Sequence, residues 1–206
     1  MSSVSAEFIS ALKSGKCCLH PTDTLPGLTA WPHHHHFPKI IEDIKGERTN
    51  KSFVCLTPDL EHAVSFWQDL PTDWHSTLEK LWPGPLTVVW LARNSPPTLV
   101  NKDGTIAIRC PNLLEQDRWL FDAIHECGGI IPSTSVNKSG EKTYADWHSA
   151  AEFLSRYSNI HIPIYPGAGS QKNLPSTIIR LKDGGDFAVL REGALPIKQI
   201  LDCRSK

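Results

Sequence analysis

The chain has 206 residues, enough for one sizeable core, and its apolar and charged fractions of 40% and 21% are those of an ordinary soluble globular protein. A formal net charge of −1 excludes a basic field spread over the whole surface, the usual footprint of a nucleic-acid coat, but leaves room for cations gathered on one face. No apolar run reaches the ~18 residues of a membrane span, and the first residues lack the charged and apolar regions of a secretory signal, so no membrane association and a cytoplasmic location are expected. The six cysteines form no CxxC pair and fall mostly in apolar, strand-like runs, which points to buried free thiols instead of disulfides or a zinc site.

In chain order, Val4, Phe8, Ile9 and Leu12 share one helical face that Gly15 ends. Cys17-Cys18-Leu19 is then a short buried strand delivering the stiff loop His20-Pro21-Thr22-Asp23-Thr24-Leu25-Pro26-Gly27, a place to fix hydroxyls toward a ligand. His33 to His36 reads as a solvated loop, since no second ligand cluster suggests a metal. Pro38 opens a helix with Ile40, Ile41 and Ile44 on its apolar side. It runs into a basic loop, Lys45 to Ser52, which carries Lys45, Arg48 and Lys51 ahead of the apolar strand Phe53 to Leu56. This spacing is not a P-loop, because GxxxxGK[ST] occurs nowhere in the chain.

Asp59 and Asp73 stand where two further helices start, and Pro83-Gly84-Pro85 ends the second ahead of a strand from Leu86 to Leu91. In Thr105-Ile106-Ala107-Ile108-Arg109, alternation sets an apolar face against one bearing a hydroxyl and a guanidinium. Leu113 to Cys127 reads as a helix closed by Gly128-Gly129. The segments after residue 150 suggest a short helix, a strand from Ile160 to Ile164, and two strands, 176–181 and 187–191, joined through a Gly184-Gly185 turn. A short helix over Pro196 to Leu201 closes the pattern, which is that of one mixed α/β domain spanning 1–206.

The polar stretch Ser133-Thr134-Ser135-Val136-Asn137-Lys138-Ser139-Gly140 follows Ile130-Ile131-Pro132 directly. A strand that stops at Pro132 and releases three hydroxyls, a carboxamide and an ammonium reads as a loop holding an anion or nucleotide, because buried hydroxyls would each need a partner.

Taken together, the Pro-Thr-Asp-Thr loop, Trp82-Pro83-Gly84-Pro85-Leu86-Thr87 and the Ser133 to Gly140 stretch resemble the YrdC-like family of threonylcarbamoyl-AMP synthases, over roughly residues 5 to 195. The resemblance is to the short form without an extra C-terminal domain. It implies a twisted α/β sheet whose concave face holds L-threonine, bicarbonate and ATP with Mg2+, no separate metal site, and transfer of the product group to tRNA with the help of a partner complex in threonylcarbamoyladenosine (t6A) synthesis. Carried over by motif, Thr22, Arg109 and Ser176 would contact threonine, with Arg109 gripping its carboxylate. Lys45, Arg48 and Lys51 would hold the phosphates. Thr105, Ser133, Ser135, Asn137 and Arg191 would complete the nucleotide site. His20 stands where the family usually has tyrosine, and Val136, expected close to the nucleotide, where it usually has alanine.

This set suits a reaction that needs positioning and charge neutralisation more than a protein nucleophile. Two other readings fit the residues: a non-catalytic RNA- or nucleotide-binding module, and a carbamoyl-adenylate enzyme with a different amine substrate. If Arg109 faces a cleft, its loss is expected to impair substrate use far more than stability.

Overall fold

The computed structural model describes residues 3–34, 36–46, 53–71, 73–163 and 174–204. Nine strands form one mixed sheet in the order β7-β1-β2-β6-β3-β5-β4-β8-β9. In chain order these are β1 (Cys17–His20), β2 (Gly27–Thr29), β3 (Val54–Leu56), β4 (Leu86–Leu91), β5 (Thr105–Arg109), β6 (Ile131–Ser135), β7 (Ile160–His161), β8 (Thr177–Leu181) and β9 (Phe187–Arg191). The helices are α1 (Ser3–Lys13), α2 (Phe37–Lys45), α3 (Leu60–Ser65), α4 (Trp74–Leu81), α5 (Trp119–Glu126), α6 (Trp147–Leu154) and α7 (Ile197–Arg204). This is the mixed α/β architecture that the alternating strand and helix patterns predict.

The period-2 geometry of the strands divides the core in two. Cys17, Leu19, Cys55, Val88, Trp90, Ile106, Ile108 and Ile179 point to one face, where they pack against Phe37, Ile41 and Ile44 of α2, Trp74 and Leu78 of α4, and residues of α6 and α7. Cys18, Leu56 and Ile131 point to the other, beneath Phe8 and Leu12 of α1 and Leu120 and Ile124 of α5. Helices α1 and α5 cover only part of that second face. The remainder, centred on β3, β5 and β4, is open, and this gap in the helical layer makes the cleft.

Several elements differ from expectation for identifiable reasons. Strand β6 does not stop at Pro132 but continues to Ser135. Proline is tolerated there because β6 pairs at Pro132 with β3 alone (Cys55↔Pro132), while pairing with β2 begins only at Thr134. Strand β2, Gly-Leu-Thr, was not anticipated; three residues carry no readable period, and tertiary pairing with β1 and β6 makes it a strand. Asp73 stands at the start of α4 with a left-handed backbone (φ 69°) and makes no side-chain cap, whereas Asp59 caps α3 by accepting from the His62 amide at 2.8 Å. Strand β7 covers only Ile160–His161. The β8–β9 hairpin forms around residues 182–186 as expected.

All six cysteines are free, and five are buried. No helix among the described residues is long and apolar enough to cross a membrane.

Candidate functional site

One row of paired residues forms the cleft floor: Ser133 on β6, Val54 on β3, Ala107 on β5, Val89 on β4 and Arg180 on β8. All five line a cleft of about 610 Å³. Its centre is therefore small and apolar, with a hydroxyl at one end and a cation at the other. The β1–β2 loop (Thr22, Thr24, Leu25 and Pro26) forms one wall; Pro175, Ser176 and Arg191 form another; Lys142, Thr143 and Ala145 lie beyond the end of β6.

Of the residues singled out from sequence, Thr22, Arg109, Ser133, Ser135, Ser176 and Arg191 all line this cleft. What each can do there depends on its existing partners. Thr22 is the knot of its loop: its hydroxyl donates to the Leu25 carbonyl at 2.7 Å and accepts from the amides of Thr24 and Leu25, both at 3.1 Å. Its hydroxyl shapes the wall before it can touch a ligand.

Arg109 is 4% exposed and donates in three directions: from Nε to the Gly84 carbonyl at 3.2 Å, from Nη1 to Thr24 Oγ1 at 2.6 Å, and from Nη2 to the carboxylate of Asp23. Burial pulls its pKa down and the Asp23 carboxylate opposes that pull. The carboxylate expected in Arg109's grip is thus supplied within the chain, by Asp23. Arg191 clamps the Ser176 carbonyl with Nε at 3.0 Å and Nη2 at 2.8 Å. Burial and then the neighbouring Arg109 charge lower its pKa, so two guanidinium groups face one region, an arrangement an incoming anion relieves. Ser176 Oγ is bonded to Thr87 Oγ1 at 2.8 Å.

Three expected contacts lie elsewhere. Lys45, the last residue of α2, is 4% exposed and turns inward; its Nζ donates to the Ser135 carbonyl, to the Asn137 carbonyl at 3.0 Å and to Asn137 Oδ1 at 2.8 Å. It fastens the segment after β6 instead of reaching the cleft as a phosphate ligand. Asn137 is its counterpart: Oδ1 also accepts from Ser135 Oγ, and Nδ2 donates to the carbonyls of Lys138 at 2.7 Å and Glu141 at 2.9 Å. Thr105 is engaged with Asp103 Oδ1 at 2.7 Å and Asn101 Nδ2 at 3.0 Å. None of the three lines the cleft. Arg48 and Lys51 lie outside the described residues.

Val136 also moves. It is 1% exposed, belongs to the main core and does not line the cleft. Of the polar residues in this stretch only Ser133 and Asn137 are buried, and both have internal hydrogen-bond partners. His33 and His36 are exposed, as expected of a solvated loop, and His33 donates from Nε2 to the Cys127 carbonyl at 3.3 Å. Among the described residues no three His, Cys, Asp or Glu side chains gather as a metal site.

Sequence reasoning passed over Arg180, Asn101 and Lys142, which also line the cleft. Arg180 was legible in principle: in Thr177–Leu181 it alternates with buried Thr177, Ile179 and Leu181, as Arg109 does on β5. It is paired with Asp103 at 2.7 Å.

An open sheet face with an apolar floor, hydroxyls at strand ends and inward-facing guanidinium groups defines an α/β protein built to hold a polar, anionic ligand. The chain belongs to the Sua5/YciO/YrdC family, whose sequence profile, described as telomere recombination, matches residues 10–193. It is 26% identical over 190 residues to a threonylcarbamoyl-AMP synthase of Pyrococcus abyssi, covering 92% of this chain and 54% of that protein. It is 26% identical over 185 residues to the threonylcarbamoyl-AMP synthase of Pseudoalteromonas translucida, covering 88% of this chain and 95% of that one. The chain thus spans about half the length of the first relative and nearly all of the second. The crystal structure of P. abyssi Sua5 complexed with L-threonine matches with a TM-score of 0.83 at 23% identity, over 97% of this chain and 56% of that chain, which establishes the shared fold.

Proposed function

We propose that this protein is a threonylcarbamoyl-AMP synthase, converting L-threonine, bicarbonate and ATP to threonylcarbamoyl-AMP, pyrophosphate and water. The observation that carries this reading is the convergence of Arg109, Arg191, Ser133, Ser135 and Ser176 on one cleft with an apolar floor, in a chain that aligns along most of its length with relatives named for that activity.

The chemistry asks for little covalent participation by the protein. The threonine amine bonds to the carbon of bicarbonate or CO2, and a carbamate oxygen then displaces pyrophosphate from the α-phosphorus. Both steps bring anions together, so the protein's contribution is to hold reactants in line and offset their charge. Arg109, buried and paired with Asp23, and Arg191, more exposed, supply positive charge at the cleft wall, and the Val54–Ala107–Val89 floor gives an apolar seat for a flat or aliphatic group. Magnesium enters as part of the nucleotide substrate. The product's threonylcarbamoyl group would pass to tRNA through partner proteins, in the cytoplasm.

The test is pyrophosphate release by purified protein given L-threonine, bicarbonate and Mg-ATP, with product identified by mass. Release requiring all three substrates is expected; release only when another small amine replaces threonine would assign the cleft that amine.

A further inference from the structure

His20 is wholly buried beneath the cleft, and both ring nitrogens are engaged: Nδ1 with the Pro21 carbonyl at 3.0 Å and Nε2 with Ser133 Oγ at 3.0 Å. A carbonyl can only accept, so the proton of the neutral ring sits on Nδ1. Nε2 is then a bare lone pair, and the one proton of the Ser133 hydroxyl must point at it. The contact is possible because Gly27 lies between them: on β2, paired with His20 on one side and Ser135 on the other, it has no side chain. A Cβ there would collide with the His20 ring and come within 2.7 Å of Ser133 Oγ.

We propose that His20 is a specificity-determining positioning residue: by taking the only hydroxyl proton of Ser133, it turns the cleft-facing Oγ into an obligate acceptor, so this corner of the cleft selects a ligand N–H. A phosphate or carboxylate oxygen placed there would meet lone pairs, and is directed instead toward Arg191, since Arg109 is already paired with Asp23. The alternative, a proton relay through Ser133 to His20, runs uphill. It would create an imidazolium in full burial near Arg109, and burial already holds the ring's pKa at about 4.

This inference rests on the proposed function, under which two ligand groups offer such an N–H: the amine of threonine and the exocyclic amine of adenine. The experiment compares two ligand pairs by calorimetry, ATP against purine riboside triphosphate and L-threonine against 3-hydroxybutyrate, on the full chain and on Ser133→Ala and His20→Leu. The analogue lacking the N–H is expected to bind about tenfold more weakly in one pair, the worth of one hydrogen bond. That discrimination collapses in Ser133→Ala while the other pair's is retained, and the pair affected identifies the source; in His20→Leu, where the hydroxyl rotates freely but still accepts, it is weakened and not abolished. Discrimination unchanged by Ser133→Ala in both pairs would overturn the proposal.

A 15N spectrum of histidine-labelled unmutated protein gives a readout independent of variant folding: an Nδ1–H, bare-Nε2 tautomer for His20 is expected, and an Nε2–H tautomer would overturn the assignment. If unmutated protein binds neither ATP nor L-threonine, the proposed function fails by itself, and the tautomer alone then decides whether Ser133 is an acceptor.

Discussion

Arg109 and Asp23 form an ion pair in which the side chains keep only 4% and 14% of their exposure. The pair ties the end of β5 to the β1–β2 loop, and Arg109 secures that loop again through Thr24. Each charge is therefore both a feature of the cleft and a fastening of its wall.

Arg109→Ala consequently loses stability as well as substrate use. Breaking a buried pair by removing one partner leaves the other desolvated and costs roughly 3–5 kcal/mol, reduced somewhat here because Asp23 is not fully buried. Denaturant unfolding should show a loss of at least about 2 kcal/mol. A variant with normal stability and lost activity would mean that Asp23 is solvated and Arg109 acts on substrate alone.

Lys45→Met is expected to be a loop mutation, not a phosphate-site mutation. It strips three acceptors, the carbonyls of Ser135 and Asn137 and Asn137 Oδ1, of a charged donor. Each acceptor left buried without a partner costs about 1–3 kcal/mol. Asn137→Ala should destabilise in the same manner, and a double-mutant cycle between the two should show strong coupling. Intact stability in Lys45→Met, with only nucleotide affinity reduced, would return Lys45 to a phosphate role.

His20 gives stability a pH dependence of known sign. Burial lowers its pKa from 6.5 to about 4, so between these values the unfolded chain binds a proton that the folded chain does not. The contribution is complete above about pH 6.5 and is lost as pH falls toward 4, by about 3 kcal/mol in all. Unfolding curves across this range for the unmutated protein and His20→Gln should differ by a slope of that size. Parallel curves would place His20 in contact with water.

Gly27→Ala tests the close approach that permits the His20–Ser133 bond. The added methyl has no room between the two side chains, and overpacking of this kind costs about 1–3 kcal/mol. It should also shift the His20 ring resonances, because Nε2 is pushed off Ser133. A neutral substitution would show that the three strands are looser than their pairing implies.

Much of this arrangement was legible before the structure. Ile106 and Ile108 alternating with Ala107 and Arg109 set an arginine on the polar face of β5, and the family resemblance implied that Thr22, Ser133, Ser176 and Arg191 would share one site. What was not legible was direction. Lys45 reads as the first cation of a basic loop, yet as the last residue of α2 it points inward to Asn137. Val136 reads as part of a polar ligand loop, yet the turn after β6 sends it into the core. The hydrogen bonds that Arg109 makes to Thr24 and Asp23 and that Lys45 makes to Asn137 are tertiary, and whether such a group faces a ligand or a neighbour depends on partners 85 to 92 residues away. His20 was noticed as a departure from the family's tyrosine; its partner, 113 residues away, appears only once β1, β2 and β6 are side by side.

The measurement that bears most directly on the central claim is pyrophosphate release by the purified chain with L-threonine, bicarbonate and Mg-ATP, run beside a relative of established activity. The account predicts release that requires all three substrates, together with a product of threonylcarbamoyl-AMP mass. No release by folded protein while the relative turns over under the same conditions would contradict it.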